Sequence, residues 1–470
     1  MSRDTSIKIH RRGLLLGAVA ALALPIPSRS EAAPRALVAR RGKAQVTPEG
    51  YPETEIWGFD GQAPGPLLRA RQGARLQRRL VNELPVPTSV HWHGIRIDNA
   101  MDGVTGLTQA PVAPGEIFDY AFDLPDAGTY WYHAHTNSYE QVARGLYGAL
   151  IVEEADPPDI DREETLILGD WRLDRETAQI ADDFGAWHDL SHAGRMGNIV
   201  TTNGKFDLKR AARRNERLRL RLINAANARI LALSLVGLEG WIMALDGMPL
   251  EHPLAAQGAL RLAPSQRMDL IVDVTAADGE TAHLAQMNDD GKWWSQVAWD
   301  ITGSASSQRR PRPMPLPPNP RQAVPGVKDA RTVTLAMEGG AMGRLQAATY
   351  AGKRLAFRDL AERGQFWAFN GTVGRTDAPL AEAALGETLR IRIVNDTVFP
   401  HAMHLHGMHF RDVKDDGDSL GPLRDTLLVQ QGETREIAFV ADNPGGWLFH
   451  CHMLAHAASG MTTWVKVRDG

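Results

Sequence analysis

Three distant stretches of this chain read alike. They are "GARLQRRLVN" (Gly73–Asn82), "NERLRLRLIN" (Asn215–Asn224) and "GETLRIRIVN" (Gly386–Asn395). Each alternates apolar and charged residues, the period of a strand with one buried face. Each ends in asparagine, a residue suited to turns. Copies this far apart mark repeated domains rather than a solenoid. Other segments, such as "LRLAPSQRMDLIVDV" and "ETREIAFVAD", also read as short strands between turns. Long amphipathic helical patterns are scarce, so the repeat predicts an all-β chain of sandwiches or barrels.

A length of 470 residues suits about three domains. The boundaries expected are 36–155, 160–303 and 331–470. Between the last two, residues 304–330 include seven prolines from Pro311 to Pro325 and read as an extended linker. Residues 1–35 read as an export signal: Arg11 and Arg12, an apolar run from Gly13 to Leu24, then small residues. The run is too short to span a bilayer comfortably. The paired arginines point to the twin-arginine export machinery, hence to a periplasmic or secreted protein with no stable membrane insertion. Removing residues 1–32 takes away five basic and two acidic groups and leaves about −7 from a formal −4. That balance does not suggest a nucleic-acid partner. One cysteine among 470 residues excludes an intrachain disulfide framework.

Nine and eleven residues after Asn82 stand His91 and His93, in "HWHG". The same offsets from Asn395 give His404 and His406, in "HLHG"; from Asn224 they give Leu233 and Leu235. A second match aligns "DAGTYWYHAH" with "NPGGWLFHCH", adding His133, His135, His450 and His452. On a strand, residues i and i+2 share a face. Each pair therefore presents two imidazoles to one side, and eight could meet between the outer domains. Such a nitrogen-rich set suits copper, zinc, iron or nickel.

"HCHMLAHAASGM" (His450–Met461) narrows the choice. Cys451 faces away from His450 and His452. A thiolate, two imidazoles and a weak thioether are the ligands of a blue-copper electron-transfer site, and His401, Cys451, His456 and Met461 supply them. The first domain lacks this set: Thr88 stands for His401, Ala134 for Cys451 and Leu146 for Met461. The repeat thus encodes one mononuclear site and one shared polynuclear site. Structural zinc fits less well, because methionine is a poor zinc ligand.

With these four motifs, and with "TTNGK" and "RLRLRLINAANARI" in the middle, the chain resembles the multicopper oxidases, of the bacterial three-domain laccase and cuprous oxidase type. The resemblance implies three cupredoxin-like Greek-key β-barrel domains in tandem. It implies four coppers per chain. A type 1 copper would be held by His401, Cys451, His456 and Met461, and a type 2 copper by His91 and His404. One of two type 3 coppers would take His93, His133 and His452, the other His135, His406 and His450. The reaction implied is one-electron oxidation of a small reducing substrate coupled to reduction of O2 to water. His450–Cys451–His452 would carry electrons between the sites, and Asp102 would supply protons to the cluster. Relatives often carry an acid just after the last type 1 histidine; here that residue is Ala457.

Cuprous-oxidising relatives carry a methionine-rich insertion in the third domain. Here the matching region holds only Met337 and Met342, both expected in the core. Phenols or aromatic amines are therefore the expected substrates, with Cu(I) the alternative. A copper-free structural relative is disfavoured by the complete ligand set, and a nitrite reductase by the number of histidines. His10, His188, His192, His252, His283 and His409 carry no evident chemistry, with His409 expected at the surface. Trp293 and Trp294 are expected in an interface or core.

Overall fold

The computed structural model describes residues 34–287 and 292–469. The expected export signal lies, but for its last two residues, outside the described residues. The chain is about 49% strand and 6% helix. No helix among the described residues is long and apolar enough to cross a membrane.

The three repeat segments form strands Arg75–Asn82, Arg217–Asn224 and Thr388–Asn395. Each pairs in parallel with the first strand of its own third of the chain: Arg35–Ala44, Arg162–Trp171 and Arg331–Gly339. On its other edge each meets an antiparallel strand: Ile117–Asp123, Arg267–Val274 and Thr434–Val440. A second sheet completes each third. In the first third it holds Val90–His93 beside Gly128–Ala134. In the last it holds His401–Leu405 beside Gly445–Cys451.

The terminal asparagine of each repeat acts as a staple. Asn82, Asn224 and Asn395 are buried. Each Oδ1 accepts the N–H two residues on, from Leu84, Ala226 or Thr397. Each Nδ2 donates to carbonyls of the following loop, such as those of Val86, Arg229 and Phe399. The repeat thereby fixes the departure of the loop that leads to the histidine strand.

The middle copy departs from simple alternation, because every residue of Arg217–Asn224 is buried. Its charged face is covered by partners. Arg217 pairs with Asp273 at 2.7 Å. Arg219 bonds Glu154 at 2.6 Å and Asp269 at 2.7 Å, and Arg221 reaches Glu163 at 2.7 Å. Glu154 follows the last strand of the first third, so this face is a junction between the first two thirds.

The proline-rich stretch is extended but tied down. Between Ser304 and Arg331 the only regular element is a 3-10 turn, Val327–Asp329. Leu316 packs with Trp241, Met243 and Ile271. Asn319 binds Ala127 through both its N–H (2.8 Å) and its carbonyl (2.7 Å). Met337 is a core residue, as expected, but Met342 is 77% exposed. It lies in the turn three residues past the end of strand Arg331–Gly339, with a positive φ of 59°.

One hydrophobic core runs without a break from the first third into the last, through Trp92, Trp131, Phe449, Cys451 and Met461. The histidine strands lie along this shared core.

Candidate metal centre

Two matched strand pairs position the histidines. His91 lies opposite His133, and His404 opposite His450. Alternation turns the intervening residues the other way, and Trp92 packs on the rings of Tyr120, Phe122 and Tyr132. The eight imidazoles converge. His93 stacks on His404 at 3.7 Å between ring centres, and His91 lies 3.9 Å from His406. All are buried except His135, which is partly exposed.

Three triads of nitrogen donors emerge: His93/His133/His452, His135/His406/His450 and His91/His93/His404. Within the first, the Nε2 atoms of His133 and His452 are 3.4 Å apart. Within the second, those of His406 and His450 are 3.2 Å apart. Two imidazole nitrogens bonded to one metal ion at about 2.0 Å stand about 3.3 Å apart in a tetrahedral site.

The outer nitrogens fix the tautomers. Nδ1–H donates to a carbonyl in His91 (Asp102 O, 2.9 Å), His133 (Ala134 O, 3.0 Å), His404 (Asp425 O, 2.9 Å) and His450 (Cys451 O, 2.9 Å). That leaves Nε2 with a lone pair toward the cluster. His93 is turned round: its Nε2 faces the Asp425 carboxylate at 3.3 Å and its Nδ1 has no partner. The Nε2 atoms of His91, His135 and His404 also lack any hydrogen-bond partner. Orphaned lone pairs in a buried site are costly unless something binds them, and a transition-metal ion fits this donor set.

Burial, and then the neighbouring imidazoles, push His133, His406, His450 and His452 well below the usual histidine range. His135 falls to about 3 for the same reasons. The rings are therefore neutral at physiological pH, the state in which they ligate.

On the other face of the strand, Cys451 Sγ lies 3.7 Å from Nδ1 of both His401 and His456. These two nitrogens are 3.1 Å apart. A thiolate and an imidazole on one metal ion, at about 2.3 and 2.0 Å, stand about 3.7 Å apart at a trigonal angle. Burial pushes the Cys451 thiol up to about 12, so a bound cation is needed to hold it as thiolate. His401 Nε2 donates to Thr397 Oγ1 (2.8 Å), whose own O–H donates to the staple oxygen of Asn395 (2.7 Å). His456 Nε2 donates to the His192 carbonyl at 2.6 Å. Met461 is fully buried, and its carbonyl accepts the Cys451 N–H at 3.1 Å.

The first third repeats this arrangement without its donors. Leu146 O accepts the Ala134 N–H at 3.0 Å, as Met461 does for Cys451. Thr88 donates to Gln141 at 2.7 Å, and a polar pair thus stands for the two imidazoles.

Two carboxylates complete the polynuclear cluster. Asp102 is fully buried, with its oxygens 3.0 Å from His406 Nδ1 and 3.1 Å from His91 Nδ1. Asp425 was not foreseen from the sequence. It lies outside the histidine motifs, on the loop between Leu420–Arg424 and Thr426–Val429, so no spacing signals it. Burial opposes its charge, but the Arg267 guanidinium and the adjoining His93 hold its carboxyl well below the usual range. Thr397 and the His192 carbonyl were equally invisible in the motifs. His409 is buried rather than at the surface, 4.0 Å from Asp425, because the turn between His401–Leu405 and Phe410–Val413 places it beside that carboxylate. His188 and His192 stack on each other at 4.1 Å.

A cavity of about 490 Å³ adjoins the mononuclear cluster. Its walls include Ala193 (next to His192), Pro400 (next to His401) and Met453, whose N–H donates to Cys451 Sγ at 3.4 Å.

Sequence profiles described as multicopper oxidase match residues 41–157 and 351–470. The chain is 31% identical to multicopper oxidase MmcO of Mycobacterium tuberculosis, over 89% of this chain and 86% of that protein. It is 25% identical to copper resistance protein A of Escherichia coli, over 87% and 89%. Among solved structures, Lac15 from a marine microbial metagenome is 42% identical with a TM-score of 0.75, covering 93% of this chain and all (100%) of that one. A multi-copper oxidase from Pseudomonas thermotolerans is 33% identical with a TM-score of 0.79, covering 92% and 98%. Likeness at this level, along nearly the whole described length, places the chain in the multicopper oxidase family, whose members are copper-dependent oxidoreductases.

Proposed function

We propose that this chain is a laccase-like oxidase that takes single electrons from phenols or aromatic amines and delivers them, four at a time, to O2, forming water. His401, Cys451, His456 and Met461 would hold one copper. His91 and His404 would hold a second, His93, His133 and His452 a third, and His135, His406 and His450 a fourth. Copper would supply the one-electron redox chemistry.

The protein's own part follows from its contacts. The carbonyls of Asp102, Ala134, Asp425 and Cys451 take the outer Nδ1–H groups and aim the opposite nitrogens inward. Cys451 is covalently joined to His450 and His452, so one stretch of strand wires the electron-entry side to the oxygen side. That single observation carries the proposal: Cys451 Sγ is 3.7 Å from both His401 and His456 while its two neighbours lie in the polynuclear triads. Water formation consumes protons. Asp102, the buried carboxylate facing His406 and His91, would pass them to the cluster, while Asp425 is held ionised by Arg267. Export through the twin-arginine route would put the enzyme in the periplasm or outside the cell.

A second reading, a periplasmic cuprous oxidase serving copper tolerance, is favoured by one observation: Met196, Met287 and Met453 all line the cavity beside the mononuclear cluster. Comparing kcat/KM for Cu(I) and for a substituted phenol separates the two. Copper stoichiometry with absorption and EPR spectra tests the shared core of both: four coppers, one blue and one normal EPR signal. A count of one or two overturns the polynuclear assignment.

A further inference from the structure

Trp293 and Trp294 are 47% and 42% exposed, rather than buried in a core or interface. They open the strand Trp293–Ser304, which pairs with Thr281–Met287, and the Trp293 ring meets His283 at 5.5 Å between ring centres. Trp294 lines a second cavity, of about 640 Å³, together with Phe206, Ile199 and Val200. Phe206 is 45% exposed.

This second cavity neighbours the one beside His401, Cys451 and His456. Arg229 lines both. Gln286, in the floor of the first, accepts a hydrogen bond from Gln296, in the floor of the second, at 3.4 Å. Trp294 is the direct cross-strand partner of Gln286, so the two side chains share one face of the sheet. The shared arginine offers no free charge to a ligand. It is bonded to Asp170 at 3.0 Å and to the Gly197 carbonyl at 2.6 Å. The apolar and aromatic part of the lining is Met196, Ala228, Ile230 and Pro400 at one end and Trp294 and Phe206 at the other, where Asn198, Asp207, Ser295 and Gln296 add polar edges.

The inner end is separated from the cluster by a thin wall. The His192 carbonyl takes the His456 Nε2–H, and Ala193 and Gly194 follow it. A Cβ on Gly194 would fall 3.9 Å from His456 Nε2 and 2.6 Å from the Ala228 Cβ. At that position the chain has room only for glycine, so a ring in the inner cavity sits one strand of backbone away from a mononuclear ligand.

We propose that the two cavities form one cleft for phenolic dimers. The ring to be oxidised would lie in the inner cavity and the second ring would stack against Trp294 and Phe206. This inference rests on the laccase-like reading above. At the inner ring the phenol O–H bond breaks. Its electron passes to the mononuclear site and its proton to solvent, leaving a phenoxyl radical; O2 is the final oxidant, and four such events balance its reduction to two waters. The outer ring is not oxidised; it holds the substrate.

The test uses the copper-loaded full chain, a biphenyl-linked guaiacol dimer, the monomer guaiacol, and the dimer with every hydroxyl methylated, which cannot be oxidised. Trp294→Ala should lower the ratio of dimer to monomer kcat/KM about tenfold, through KM, and weaken calorimetric binding of the methylated dimer about tenfold. Trp294→Phe should restore most of both. An unchanged ratio, or a wild-type enzyme that does not bind the methylated dimer, overturns the cleft. If the wild type oxidises no phenol yet binds the methylated dimer in a Trp294-dependent way, the cleft stands and the laccase-like reading falls.

Discussion

Arg267 grips the carboxylate of Asp425 with two bonds, at 2.9 and 2.6 Å. Arg267 belongs to the middle repeat, which has leucines where its neighbours have histidines. Asp425 faces His93 and His404 of the cluster. The repeat without metal ligands therefore still sets the charge beside the polynuclear site. Arg267→Met leaves Asp425 buried and unpaired, at a cost of about 3–5 kcal/mol. Urea unfolding of the copper-free protein measures that loss. Asp425→Asn in the same chain should recover part of it; no recovery would mean that Arg267 acts through packing alone.

Cys451→Ser removes the soft donor between His401 and His456 without changing the backbone that carries His450 and His452. The blue absorption should vanish and copper content should fall by one per chain. Retention of the blue band would show that another residue supplies the sulfur.

Thr397→Val keeps the shape of the side chain but takes away the acceptor of the His401 Nε2–H, whose contact is 2.8 Å. A buried donor left unmade costs about 1–3 kcal/mol. The variant should lose stability and shift its mononuclear reduction potential, read by titration of the blue band. The normal EPR signal of the distant cluster should not change.

Asp102→Asn retains a side chain of the same size beside His406 and His91 but no longer a carboxylate. Reoxidation of the reduced enzyme by O2, followed by stopped flow, should slow at least about tenfold. An unaltered rate would remove Asp102 from the proton path.

Acid should destabilise the copper-free protein steeply. Burial lowers His135 to about 3 and His409 and His456 to about 4, against about 6.5 in the unfolded chain. Below pH 6.5 the unfolded chain binds protons that the folded chain refuses. Stability is complete above that value and falls as pH drops toward 4, by about 1.4 kcal/mol per unit for each such histidine. Urea midpoints at pH 7.5 and 5.5 measure the slope. Equal midpoints would mean that the imidazoles are solvated.

The repeat strands and the paired histidines were legible because both depend on local period: alternation marks a strand, and His-x-His on a strand shares a face. The ends of the mononuclear set were legible for a related reason, since Ala134 and Leu146 mark by contrast what Cys451 and Met461 are for. Asp425, Thr397 and the His192 carbonyl were not. Each reaches the site through a strand crossing or a loop from another part of the chain, and neither residue type nor spacing marks them. The exposure of Trp293 and Trp294 was missed because two adjacent tryptophans normally favour burial, and nothing local marks the start of this strand as an exposed edge. The burial of His409 was missed because it lies in a turn, where no periodicity tells which way a side chain faces.

The polynuclear triads draw on His91–His135 near one end of the chain and on His404–His452 near the other. None of the triads lies within a single third. Synthesis of more than three hundred residues separates the first of these histidines from the last. The full set of triads therefore cannot assemble until the far end has been made and has docked against the near one. A chain that stops short of residue 450 would keep one triad, His91/His93/His404, and lose the other two together with Cys451, His456 and Met461.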